Sequence, residues 1–281
     1  MEYRITDGVF EDYWGKIGEM DFTVPAGVTS IAAGAFHNCS WLEKITLPDT
    51  VTSIGAGAFM GCTNLRRMKI PEAVTSIGDS AFANCAHLRK IKLPEGVMSI
   101  GNCAFSNCVE LAKIKLPKGL TVIEDYAFRN CASLKSAEIP EGVTSIGEGA
   151  FAGCEELKSI TIPESVTSIG DSAFHYCSRF KRIDIPEGVT SIGDNAFFKC
   201  DGLRKVSIPD SVTSIGEEVF AGCGKKEEAA ADRLAQIQSK GELVIALEGN
   251  WAPWSFHDDT GALVGYDVEV GKAIAEKLGV K

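Results

Sequence analysis

The chain has 281 residues, 45% of them hydrophobic and 23% charged, and a formal net charge of −10. That length holds one large or two ordinary domains. The acidic balance argues against whole-surface attraction to nucleic acid or anionic lipid, although a local basic face can still exist, and no apolar run reaches the roughly 18–20 residues of a membrane span.

The opening, "MEYRITDGVFEDYWGKIGEMDF", carries acids and tyrosines where a signal peptide needs a basic start and an apolar stretch, so it gives no expectation of export. From Pro25 to Pro209 a proline recurs every 23 residues, as do phenylalanine from Phe36 to Phe220 and cysteine from Cys39 to Cys223. A strict period of this size predicts a solenoid. Eight full units run from Pro25 to Ile208, and a ninth breaks off after Cys223. No single unit can bury both its flanks, so the units must stack.

The unit from Pro48 reads "PDTVTSIGAGAFMGCTNLRRMKI". In "LRRMKI", Leu65, Met68 and Ile70 point inward, and Met68 and Ile70 alternate as a strand does. Proline ends that strand because it cannot donate to a ladder. "VTSIG" predicts a second short extended stretch. "AGAFMGC" predicts about one helical turn with Phe59 and Cys62 inward. The L-x-x-L-x-L spacing and the recurring "VTSIGxxAFxxC" resemble the BspA-like leucine-rich repeats of bacteria over residues 1–223. The resemblance implies an α/β repeat: a leucine-rich-repeat solenoid of 23-residue units over 25–223, preceded by a strand-rich cap at 1–24.

Nine of the ten cysteines share one column. Parallel side chains one repeat apart do not readily reach disulfide geometry, so small buried thiols acting as hydrophobes are expected. Cys103 lies off the column and is expected near the surface. Many free thiols suit a reducing compartment.

Between the inward strand residues lie Arg66, Arg67 and Lys69, then Arg89, Lys90 and Lys92, then Lys113 and Lys115. They predict a basic stripe on the concave face. Acids follow the prolines at Glu72, Glu95, Glu141, Glu164 and Glu187. Two readings stand. The face is a solvated one whose charges those acids offset, or it is an interaction surface for an acidic protein or polyanionic glycan. Nucleic acid is disfavoured because no stacking aromatics interleave with the cations.

His37, His87 and His175 occupy different repeats. No nucleophile motif, phosphate loop or metal-spaced cluster appears. The expectation is a non-enzymatic chain with no cofactor and no metal site.

After Cys223 the period stops. Residues 224–241 predict a helical linker or cap, with Leu234 and Ile237 on one side. The ninth unit lacks its second strand, and a terminal repeat needs a polar cover. "ELVIALEG" reads as a buried parallel strand, and "WSFHDDTGALVGY" as a hairpin around Asp258–Gly261. Asp267 caps a helix carrying Val270, Ile274 and Leu278 on one stripe.

The strand Leu243–Leu247, the segment Trp251–Trp254 and the run Gly265–Val270 resemble the start of family 3 extracellular solute-binding proteins of amino-acid ABC transporters. The resemblance makes 242–281 a small, incomplete α/β piece, a partial solute-binding lobe. It places Glu248 and Trp251 at ligand-contacting positions and implies a cell-surface or extracytoplasmic setting. Most of one lobe and all of the second lie outside this segment, and two-lobed closure needs both. An amino acid is therefore an expected ligand only if the domain is completed. The reading that follows is a scaffold for protein or glycan recognition fused to the start of a solute-binding domain. The alternative is the amino-acid-binding component of an ABC transporter with an appended repeat module, complete only in a longer product.

Overall fold

The computed structural model describes residues 2–15 and 18–223, and the backbone at 256–257 and 263–264. Each of the eight repeats from Pro25 to Ile208 contributes a short strand and a long one, except that at 113–115 a single bridge at Lys113 stands in place of the long strand. In the long strand Arg67–Lys69 the middle residue is buried and its neighbours are exposed, as two-residue alternation requires. It pairs in parallel with Lys90–Lys92, setting Arg67 beside Lys90 and Met68 beside Ile91. The short strands Ser53–Ile54, Ser76–Ile77 and Ser99–Ile100 pair in the same way. Register equals the sequence period, so each residue stacks on its own counterpart.

The chain enters this array through an antiparallel pair, Tyr3–Thr6 with Val9–Tyr13. Val9–Tyr13 then pairs in parallel with the short strand Ser30–Ile31. Asp21–Thr23 pairs in parallel with the long strand Lys44–Thr46.

The third side of each unit differs from the expected helical turn. Among the described residues "AGAFMGC" forms consecutive tight turns instead. Alternate amides bond locally and to the next unit. Ala58 N, Met60 N and Cys62 N donate to Gly55 O, Gly57 O and Phe59 O, while Gly57 N, Phe59 N and Gly61 N donate to Asp79 O, Ala81 O and Ala83 O. Redirecting alternate amides along the stack needs two left-handed residues per unit. Gly57 and Gly61 fill these positions at φ 59° and 75°, and Ser80 and Asn84 fill them one repeat later. A helix would spend all these donors inside one unit. The turns use half of them to join units.

Inside, ten phenylalanines from Phe10 to Phe220 stack with centroids 4.8–5.6 Å apart and planes within 14°. The column cysteines lie beside them as free thiols. They are more than hydrophobes. Cys85 Sγ donates to Phe59 O at 3.2 Å, Cys108 to Phe82 O at 3.2 Å and Cys131 to Phe105 O at 3.2 Å. Phe59 O already accepts Cys62 N, so the thiol occupies the second lone pair of a buried carbonyl. Cys103 is half-buried and takes a left-handed turn position at φ 56°.

The short-strand sheet is not continuous. It divides into six strands ending at Ser99–Ile100 and five beginning at Val122–Ile123. Glu124 explains the break. Its column holds alanine at 32, next to the cap, and glycine elsewhere, and at Gly78, Gly101, Gly147 and Gly193 a Cβ would lie 2.5, 2.6, 2.7 and 2.5 Å from a backbone nitrogen of the preceding unit. Glu124 brings that Cβ, and the units part at this edge. Burial and then its acidic neighbours Asp125 and Asp79 push the Glu124 carboxyl above its usual range. Glu124→Gly is expected to close the ladder. Two restored backbone bonds at about 1 kcal/mol each, against about 0.5–1 kcal/mol of glycine entropy, give a net gain of roughly 1 kcal/mol. The urea midpoint should rise with the m-value unchanged; a fall would refute this account of the seam.

In the tail, Phe256–His257 pairs antiparallel with Leu263–Val264, the hairpin read from the sequence. The expected helix at 224–241, the strand Leu243–Leu247, the capped helix after Asp267, and Glu248 and Trp251 lie outside the described residues.

Candidate binding face

The long strands bring the basic residues together as three parallel rows. Each row runs along the stack, with neighbours one strand spacing apart, about 4.8 Å. Arg66 and Arg89 form the first row, Arg67, Lys90 and Lys113 the second, and Lys69, Lys92 and Lys115 the third. Lys113 continues the second row through a parallel bridge to Lys90. All eight side chains are exposed.

The outer rows are neutralised. Arg66 meets Glu43 at 3.3 Å and Arg89 meets Glu110 at 2.6 Å. Lys69 meets Asp49 at 3.6 Å, Lys92 meets Glu72 at 3.1 Å, and Lys115 hydrogen-bonds Glu95. The hydrogen bond from Arg89 holds the Glu110 carboxyl below its ordinary range, and that from Lys115 does the same for Glu95. Exposed pairs of this kind add little to stability. Their consequence is electrostatic: the flanking rows present dipoles rather than net charge.

The second row is different. Arg67, Lys90 and Lys113 make no side-chain hydrogen bond or ion pair among the described residues. Lys44 extends this row by one and is likewise without such a partner. The sequence reading began the stripe at Arg66 and missed Lys44, whose only signal is its place 23 residues before Arg67. The row is bounded by Asp21, the register partner of Lys44, and by Ser136, which starts the next long strand. Farther along, Arg182 is paired with Asp184 at 2.7 Å.

Among the described side chains the histidines are not brought together. His37 is exposed, His87 bonds Thr63 O at 2.9 Å, and His175 packs against Tyr176 and Phe198. Burial, then Lys199 and Arg129, hold the His175 imidazole below its usual range.

A parallel solenoid of 23-residue turns with inward L-x-x-L-x-L columns and an exposed charged strand face defines a leucine-rich repeat protein. Residues 5–135 and 98–227 match the BspA type leucine rich repeat region, and the chain belongs to that family. A leucine-rich repeat protein of T. pallidum is 34% identical with a TM-score of 0.59, over 63% of this chain and 86% of that one. Residues 243–281 match the bacterial extracellular solute-binding proteins, family 3. Over 51 residues the chain is 47% identical to a probable amino-acid ABC transporter-binding protein of Haemophilus influenzae, and 47% identical to the L-cystine-binding protein TcyA of Bacillus subtilis. The match covers 18% of this chain and 19% of each of those proteins, so the chain spans about a fifth of the curated relatives.

Proposed function

We propose that the solenoid is a non-enzymatic recognition scaffold whose strand face binds an acidic partner, protein or glycan. The observation that carries this reading is the row Lys44, Arg67, Lys90 and Lys113, four stacked cations unneutralised on a protein of net charge −10. Like charges one strand apart repel, and an anionic ligand relieves that repulsion. The supporting division of labour assigns 1–24 to closing the amino-terminal end, 25–223 to the recognition array, 224–241 to a helical linker or cap, and 242–281 to a partial solute-binding lobe.

The test is the triple reversal R67E/K90E/K113E, with biolayer interferometry against a panel of acidic polypeptides and acidic glycans. Wild-type protein should bind at least one member with an affinity that falls as salt rises. The reversed protein should lose that binding while keeping its melting temperature. Equal binding by both proteins, or none by wild type, would sink the proposal.

A second reading rests on the family 3 match at residues 243–281. In it the repeats are appended to an amino-acid-binding transporter component, with Glu248 and Trp251 contacting the ligand once both lobes are present. Calorimetry with free amino acids on the present 281 residues should then give no heat, since one partial lobe cannot close on a ligand.

A further inference from the structure

We infer that the acidic partner of the strand face is a second copy of this chain, lying alongside the first with its axis parallel. This rests on the proposed recognition role of that face and adds the partner and the residues it contributes. The free positive charge does not end with Lys113. The first row, neutralised at Arg66 and Arg89, continues beyond Ala112 as Lys135, Lys158, Lys181 and Arg204. All four are exposed, and among the described residues none makes an ion pair; Arg204 bonds only the carbonyls of Asp201 and Leu203. Lys135 N donates to Ala112 O at 3.2 Å, Lys158 N to Lys135 O at 3.2 Å and Arg204 N to Lys181 O at 2.9 Å, so this row is stacked like the second. The strand of Lys44 is tied to that of Arg67 one residue earlier, by Arg66 N to Glu43 O at 3.2 Å. Unneutralised cations therefore line the whole array, on the second row as far as Lys113 and on the first from Lys135.

A line of opposite sign begins the turn side. Two residues after each short-strand isoleucine, from Asp79 to Glu217, six units of seven carry an acid and Asn102 fills the other. Asp79 Oδ1 accepts Asn102 N at 2.8 Å, Asp125 Oδ1 accepts Glu148 N at 2.7 Å and Asp194 Oδ1 accepts Glu217 N at 2.7 Å. These bonds need an oxygen and not a charge, since Asn102 Oδ1 accepts Asp125 N at 3.2 Å in the same way. The acids are exposed, and among the described residues none pairs with a cation. Like charges stacked one unit apart repel, so each line costs stability until an opposite charge meets it. The core separates the two lines within one molecule. Both lines step by one unit, about 4.8 Å, because both belong to the same repeat. A second copy carries this period by construction, and laid parallel it sets a carboxylate opposite a cation in unit after unit. The contact is heterologous: the cation line of one copy meets the acid line of the next, and association does not close at a dimer. The net charge of −10 on each copy opposes approach, but at physiological salt that repulsion is screened beyond about 8 Å.

Sedimentation equilibrium on the full chain provides the test. At about 0.1 M salt the average mass should climb with concentration past that of a dimer, and at about 0.5 M it should fall back to the monomer. Two variants break opposite lines. K90Q/K113Q/K135Q/K158Q removes charge from the cation line, and D79N/D125N/D171N/D194N removes charge from the acid line while keeping the oxygen that accepts the next unit's amide. Every one of these positions is exposed, so both variants should keep the wild-type melting temperature. Each alone should stay monomeric. Mixed in equal amounts they should form a dimer and nothing larger, since the first still offers acids and the second still offers cations. Self-association that either variant leaves intact, or a mixture that stays monomeric, would overturn the inference. A wild-type protein that stays monomeric while binding the acidic panel would overturn the second copy and leave the recognition face standing; one that does neither would overturn both.

Discussion

Raising the pH to about 10 is expected to unfold the solenoid in one cooperative step, although nothing in its charge count announces this. The cause is the cysteine column. Burial pushes the Cys39 thiol up to about 11 and the Cys85 and Cys131 thiols up to about 12, and lifts Cys62, Cys108, Cys154, Cys177 and Cys200 strongly in the same direction. An unfolded thiol releases its proton near 9. The folded chain therefore holds protons that the unfolded chain has lost. This contribution is full below pH 9 and drains away as pH climbs towards the folded values. At pH 10 each buried thiol has given up on the order of 1 kcal/mol. Across the eight buried column thiols the loss is roughly 10 kcal/mol, which matches the whole stability of an ordinary domain. Circular dichroism against pH should show a steep transition between about 9.5 and 10.5, with thiol labelling rising in parallel. The double variant C108S/C131S keeps a donor towards Phe82 O and Phe105 O but removes two titrating groups. Its alkaline midpoint should move up. A wild-type protein still native at about pH 11 would contradict the column's burial as described.

The sequence states the period, and the period alone places the core, because a parallel stack with register equal to the repeat must set each apolar residue on its counterpart. Leu65, Met68 and Ile70 inward and Arg67 and Lys69 outward follow from two-residue alternation. The turn side was less legible. Its two left-handed positions are glycine at 57 and 61 but Ser80, Cys103, Tyr126 and Glu218 elsewhere, so composition hides them behind a helical pattern. The thiol–carbonyl bond was hidden for another reason: Cys85 reaches Phe59 O, 26 residues away, and pattern reading sees only a small apolar residue. The basic stripe was legible as a stripe. Its division into two neutralised rows and one free row was not, since Glu43 and Glu110 reach it from neighbouring units and Asp49 from the far end of its own. Glu124 stood in plain view as the break in "SIG", but its consequence depends on a backbone nitrogen near 2.5–2.7 Å that only the stack supplies.

The seam at Glu124 leads to the second large effect: Phe128→Ala should split one melting transition into two. In a solenoid, stability is carried by each unit and by its contact with the next, so the weakest contact decides where cooperativity fails. At the seam the short-strand ladder is absent. What still joins Ser99–Ile100's unit to Val122–Ile123's unit is the turn side, the bonds from Ser133 N to Val109 O and Lys135 N to Ala112 O, and the core. Cys103 N donates to Asp125 O at 2.9 Å, Phe105 N to Ala127 O at 2.8 Å and Asn107 N to Arg129 O at 2.7 Å. Asn130 Nδ2 donates to Asn107 Oδ1 at 2.9 Å. In the core, Phe128 stacks on Phe105 at 5.5 Å and on Phe151 at 5.3 Å. Truncating a buried phenylalanine costs about 3–5 kcal/mol, of which roughly 0.5–1.5 kcal/mol belongs to each stacked pair. At the seam this removes most of the remaining core contact, and the arrays on either side should melt independently. Phe59→Ala deletes the same volume between rings at 5.2 Å on both sides, where the short-strand ladder is intact. It should lower a single transition by roughly 6–20 °C and leave it single. Scanning calorimetry on the two variants decides the matter. Two peaks from Phe128→Ala and one from Phe59→Ala place the weak joint at Glu124, and adding Glu124→Gly to Phe128→Ala should draw the two peaks back towards one. A single peak from both variants would show that the turn-side and loop backbone bonds suffice to couple the halves.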